Sequence, residues 1–129
     1  KNNFNHTFDQ IPRINFKKFE EAKKKFYETV KTSESVCIWG ASGKGVLVLS
    51  EFSDELLQKV KFVIDINPKK QGKYLPLSGK IVAPPNALKK HKGQLVVIVM
   101  NEIYQDEIKK TLTLMGIDAI FINSTFGSL

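Results

Sequence analysis

Five of the six residues in GASGKG, namely Gly40, Ser42, Gly43, Lys44 and Gly45, have the makings of an anion-binding loop. Glycines let the chain turn sharply and let backbone amides approach a phosphate. The serine adds a hydroxyl donor and the lysine a positive charge. If a helix begins here, its unpaired amides and the positive end of its dipole favour an anion. Against the dinucleotide-binding pattern G-x-G-x-x-G, Gly40 and Gly45 match while Ser42 replaces the middle glycine, which limits how closely a pyrophosphate can lie. The spacing is not that of a nucleotide-triphosphatase loop, G-x-x-x-x-G-K-[ST]. A second signal is Asp65, twenty residues beyond Gly45. An acidic residue at that distance, at the end of the next strand, commonly accepts hydrogen bonds from a ribose diol. Together these features argue for a nucleotide-like ligand. The plain alternative is a tight strand-to-helix turn that binds nothing.

The elements that would position these residues are legible from hydrophobic patterning. Residues 35–39 form a short β-branched and aromatic run, followed by a helical pattern over 43–58 with Leu49, Phe52 and Leu56 on one face. A second strand is expected over 60–66 and a weaker third over 80–83. Pro84 and Pro85 could open a short helix through Leu88, because proline is tolerated in a first turn. Residues 94–100 read as a fully buried strand, 101–116 as a helix stopped by Gly116, and 118–122 as a last strand. Strands that are apolar throughout are buried on both faces, and their alternation with helices predicts a parallel sheet covered on both sides. The expected fold is α/β: a Rossmann-like three-layer domain over 35–129, with about five strands in the order 3-2-1-4-5. In such sheets a ligand lies outside the carboxyl ends of the strands, beside strand one, where GASGKG falls.

Ahead of this domain, residues 16–34 read as an amphipathic helix and its connection, with Phe16, Phe19, Phe26 and Val30 on one side. That aromatic face rests on the core of this domain or on a neighbouring one. Residues 1–15 read as a linker or disordered segment, and 124–129 as a short tail. The chain starts at Lys1 without a methionine, which suggests a piece of a longer protein.

Bulk properties exclude several classes. The 129 residues suit one domain, and no run approaches the roughly 20 apolar residues of a membrane span. A lone cysteine, Cys37, leaves no internal disulfide and makes a reducing cytoplasm the default expectation. Placed in a buried strand, Cys37 reads as a small core hydrophobe. Two distant histidines, His6 and His91, both expected at the surface, make no metal site with it. Trp39 could pack in the core or stack on a ligand, and Tyr74 and Tyr104 could each touch one or serve structure alone. Ser42 lacks the G-x-S-x-G elbow of a hydrolase. The net charge is +7, from 20 basic and 13 acidic residues, but the lysines are dispersed. Nucleic-acid binding is not favoured, since neither a helix-turn-helix nor an aromatic strand platform is visible.

One resemblance goes further. The run IDINPKKQGKYLP over 64–76, with WGASGKG upstream and IVAPPNAL downstream, resembles the C-terminal domain of S-adenosylmethionine-dependent sugar C-methyltransferases. It covers about residues 36–123 in the family's order, and Asp65, Asn67, Pro68, Lys70, Gln71, Gly72, Lys73, Tyr74 and Pro76 fall on the D-x-N-P-x-K-Q-G-K-Y-x-P pattern. Asn101 resembles the family's asparagine after strand four. One departure is the apolar stretch 46–49, where family members often carry small polar residues and an asparagine. The resemblance implies a substrate-cleft module for a nucleotide-linked sugar, built from the glycine loop, the 65–76 loop and the Asn101 turn. By the same implication this chain is not catalytic alone. Zinc, S-adenosylmethionine and the methyl transfer would belong to an upstream domain of a cytoplasmic parent. Two other readings stay open: an independent NAD-type dinucleotide-binding domain, against which Ser42 counts, and an interaction domain that binds no small ligand.

Overall fold

The computed structural model describes residues 16–124. The linker expected over 1–15, with His6 in it, lies outside them, as do residues 125–129. Helix α1 (Asn2–Thr32), described from Phe16 onward, leads into β1 (Val36–Trp39), α2 (Gly43–Ser50), α3 (Asp54–Lys59) and β2 (Val60–Ile64). Then follow β3 (Val82–Ala83), a 3-10 turn (Pro85–Leu88), β4 (Leu95–Val99), a second 3-10 turn (Glu102–Tyr104), α4 (Gln105–Leu114) and β5 (Ala119–Asn123). The strands pair in the order β3-β2-β1-β4-β5, and every neighbouring pair is parallel. The expected α/β fold and strand order are both present.

The central strands show why the sheet must be covered on both faces. All of β1 and β4 is buried, and successive side chains of a strand point to opposite faces. Val36 and Ile38 of β1 therefore join Val96 and Ile98 of β4 in a cluster with Phe26, Val30 and Leu49, from α1 and α2. Cys37 and Trp39 join Leu95, Val97 and Val99 in a second cluster with Ile108 and Leu112 of α4. Each of these fully buried aliphatic side chains contributes on the order of 1.5–3 kcal/mol relative to exposure. Burial also pushes the Cys37 thiol pKa far up, in keeping with a core residue.

The single helix expected over 43–58 is two helices. Ser53 ends the first pattern because its side chain accepts from Leu56 N–H at 3.3 Å and caps a new helix. Asp54 and Glu55 then fall in that helix's first turn, where the dipole favours negative charge. Phe52, in the break, is buried against Phe26 and Tyr27. The helix expected over 101–116 likewise starts as a 3-10 turn, capped by Asn101, before α4 proper. Gly116, at φ +72°, stops it as expected.

The aromatic face of α1 rests on the core of this domain only in part. Phe26 and Val30 are buried in the core, whereas Phe16 and Phe19 are 63% and 36% exposed. His91, expected at the surface, is half-buried, its ring edge-on to Phe62 with centroids 5.6 Å apart.

Candidate functional site

The loop after β1 is shaped by contacts rather than by glycine content alone. Gly40 adopts φ +119°, a conformation that side chains rarely take, and a Cβ there would lie 3.1 Å from Met100 Cγ, which would have to shift. Its N–H donates to Ile64 O at 2.7 Å, tying the strand end to β2. Ser42 follows in extended conformation as the N-cap of α2, yet its hydroxyl makes no capping bond. Gly43 and Lys44 are the first two helical residues. The first intrahelical bond across the cap runs from Val46 N–H to Ser42 O, so the amides of Gly43, Lys44 and Gly45 have no acceptor within the helix. Gly45 lies behind this surface, where a Cβ would come within 2.7 Å of Gly40 O.

These amides border a cleft of about 570 Å³ at the carboxyl ends of β1, β2 and β4. Gly40, Ser42, Gly43 and Lys44 form one wall, Asp65 and Ile66 flank it, and Val99, Met100 and Asn101 close the end of β4. The wall of α4 presents Tyr104, Glu107, Ile108 and Thr111. Trp39 also reaches the cleft although only 8% exposed, so its core and lining roles coexist. Thus six of the nine residues singled out from sequence, Gly40, Ser42, Gly43, Lys44, Asp65 and Asn101, share one cleft.

The other three do not line it. Gly45 underlies the loop. Asn67 accepts from Lys69 N–H at 3.0 Å within its own turn. Lys70 turns back to the glycine loop, its Nζ donating to Ala41 O at 3.2 Å. Asn101 Oδ1 accepts from Ile103 N–H at 3.2 Å, so it caps the 3-10 turn while lining the cleft. Asp65 is already engaged as well. Its Oδ2 accepts from Ala41 N–H at 2.8 Å and its Oδ1 from Asn67 N–H at 2.9 Å. Tyr74 lies away from the cleft, 70% exposed and bridged to Ile81.

The α4 wall was the part that the motifs did not reveal. Its signal was present all the same: positions 104, 107, 108 and 111 share one helical face, and the helix after β4 borders the point where the strand order reverses.

Among the described residues no three His, Cys, Asp or Glu side chains come together as a metal site, so they do not fit the zinc that the resemblance implies for the parent. Among the same residues, no helix is long and apolar enough to cross a membrane.

A doubly wound parallel sheet with a cleft at the point where the strand order reverses defines a Rossmann-like α/β domain. The family model described as C-methyltransferase C-terminal domain matches residues 10–122, and the chain belongs to that family. A comparison with curated proteins gives no match.

Proposed function

We propose that this domain helps to hold a nucleotide-linked sugar for a C-methyltransferase whose methyl transfer takes place in another domain of the parent protein. In this reading the diphosphate lies at the start of α2, met by the amides of Gly43 and Lys44, the Ser42 hydroxyl and the Lys44 ammonium. The remainder of the ligand runs along the α4 wall, where Tyr104 and Ile66 offer apolar surface and Glu107, Thr111 and Asn101 offer hydrogen-bonding groups. S-adenosylmethionine and zinc belong, in this proposal, to the upstream domain and not to these residues.

The observation that supports the reading most strongly is the unpaired first turn of α2, opening onto a cleft whose other walls bear apolar and hydroxyl-binding groups. Helix amides, dipole and Lys44 all favour an anion at the same place. Lys44→Ala tests it. Loss of one charge-assisted contact should weaken binding of a thymidine diphosphate-linked sugar about tenfold or more. The melting temperature should stay nearly unchanged, because Lys44 is exposed. A large fall in melting temperature with unaltered affinity would place Lys44 in the structure and not in the site.

A further inference from the structure

We infer that Asp65 and Lys70 are positioning residues that act on the ligand through the backbone of Ala41, rather than ligand-binding residues themselves. The inference rests on the reading of the α2 start as a phosphate cradle.

The two peptide units that meet at Ala41 are each held from the same neighbouring turn. Asp65 Oδ2 accepts the Ala41 N–H at 2.8 Å, and Lys70 Nζ donates to the Ala41 carbonyl at 3.2 Å. The turn that delivers them is itself pinned: Asp65 Oδ1 accepts Asn67 N–H at 2.9 Å and Gln71 Nε2 donates to Asp65 O at 2.8 Å. Ala41 is the residue between Gly40, at φ +119°, and the helix cap Ser42. Holding the peptide planes on both sides of the Ala41 Cα therefore fixes the direction in which the chain enters α2, and with it the aim of the Gly43 and Lys44 amides.

The arrangement also assigns the amides. The Ala41 N–H is used by Asp65 and Ala41 does not line the cleft, which leaves the amides from Ser42 onward for an anion. Charge balance points the same way. An uncompensated Asp65 carboxylate beside a phosphate would repel it, and the Lys70 ammonium, bonded to the carbonyl of the same residue, offsets that charge. Each Asp65 oxygen already accepts one backbone amide, so a ribose diol would have to share both acceptors. The acidic residue that the motif spacing assigned to a ribose has a different task here.

The test is a pyrophosphate titration, followed by amide chemical shifts and thermal melts, of the wild-type chain, Lys70→Met, Lys70→Arg and Asp65→Asn. Lys70→Met keeps the length and apolar stem but removes the donor and the charge. It should raise the dissociation constant for pyrophosphate roughly tenfold while the melting temperature changes little, and it should shift the Ala41 and Ser42 amides before ligand is added. Lys70→Arg, which can still donate to the carbonyl, should restore affinity to within about threefold of wild type. Asp65→Asn should also weaken binding, and combining it with Lys70→Met should cost less than the two separate losses multiplied, because both act on the backbone of one residue. Wild-type affinity in Lys70→Met would overturn the inference and leave the cradle standing. A wild-type chain that ignores pyrophosphate would defeat the cradle, and the inference with it. Equal losses of affinity and melting temperature, without rescue by Lys70→Arg, would reduce Lys70 to a structural tether.

Discussion

A Cβ built on Gly45 lies 2.7 Å from the carbonyl oxygen of Gly40. The two glycines that match the dinucleotide pattern are thus coupled to each other: the first helical turn can close over the strand end only if the later position carries no side chain. Gly45→Ala should destabilise the domain by about 1–3 kcal/mol, the usual cost of overpacking, since the opposing atom is backbone and not a movable side chain. Urea denaturation of the two proteins measures it directly. An unchanged midpoint would mean that the loop yields freely.

Gly43 offers the contrast. No atom lies within 4 Å of a Cβ built there, and the residue is helical. Gly43→Ala should therefore leave stability unchanged or raise it by about 0.4–1 kcal/mol, through the smaller entropy of the unfolded chain. The added methyl would nevertheless face the cleft and hold a phosphate off the amides. Higher stability with affinity for the sugar nucleotide reduced about tenfold is the expected pair of results, read by thermal melting and calorimetric titration.

How α1 is attached can be tested in the same way. Phe26 is 4% exposed and packs edge-on to Tyr27, with ring centroids 5.2 Å apart, and against Phe52 at 6.3 Å. Phe26→Ala should cost about 3–5 kcal/mol. Phe16→Ser, at a residue 63% exposed, should change stability by no more than about 0.5 kcal/mol. Equal costs at the two positions would contradict the division of the helix face.

Tyr27 gives a pH dependence. Its phenol is pushed above the ordinary value of 10.0, first by burial and then by the Glu51 carboxylate, to which it donates at 3.2 Å. Raising the folded-state pKa favours the protonated form in the folded state. The associated stability is complete below about pH 10 and is lost as pH rises through the folded-state value. Tyr27→Phe should flatten the stability profile above about pH 10, and parallel profiles for the two proteins would show that the contact contributes nothing.

The sequence disclosed the sheet because β1 and β4 are apolar at every position, which only burial on two faces explains, and because the loop and helix signals between strands allowed few topologies. It disclosed the cleft wall at residues 40–44 because glycine, serine and lysine are uncommon companions at a strand end. At Asp65 spacing suggested a ribose: spacing says where a carboxylate falls, and only geometry shows that its two oxygens also accept the Ala41 and Asn67 amides. Lys70 is the same case: its ammonium bonds to the Ala41 carbonyl and does not line the cleft. The break at Ser53 was missed because Leu49, Phe52 and Leu56 keep helical spacing across it, while a capping serine competes locally for the backbone. The α4 wall carries no motif at all and emerges only from helical geometry combined with strand order.

The central claim is that the start of α2 receives the diphosphate of a sugar nucleotide. The most direct measurement is an amide chemical-shift titration of this chain with thymidine diphosphate-linked sugars, with NAD and S-adenosylmethionine in parallel. The account predicts saturable shifts at Ser42, Gly43 and Lys44, extending to the cleft face of α4, with the sugar nucleotide alone. Shifts confined to other surfaces, or an equal response of the α2 start to NAD, would contradict it.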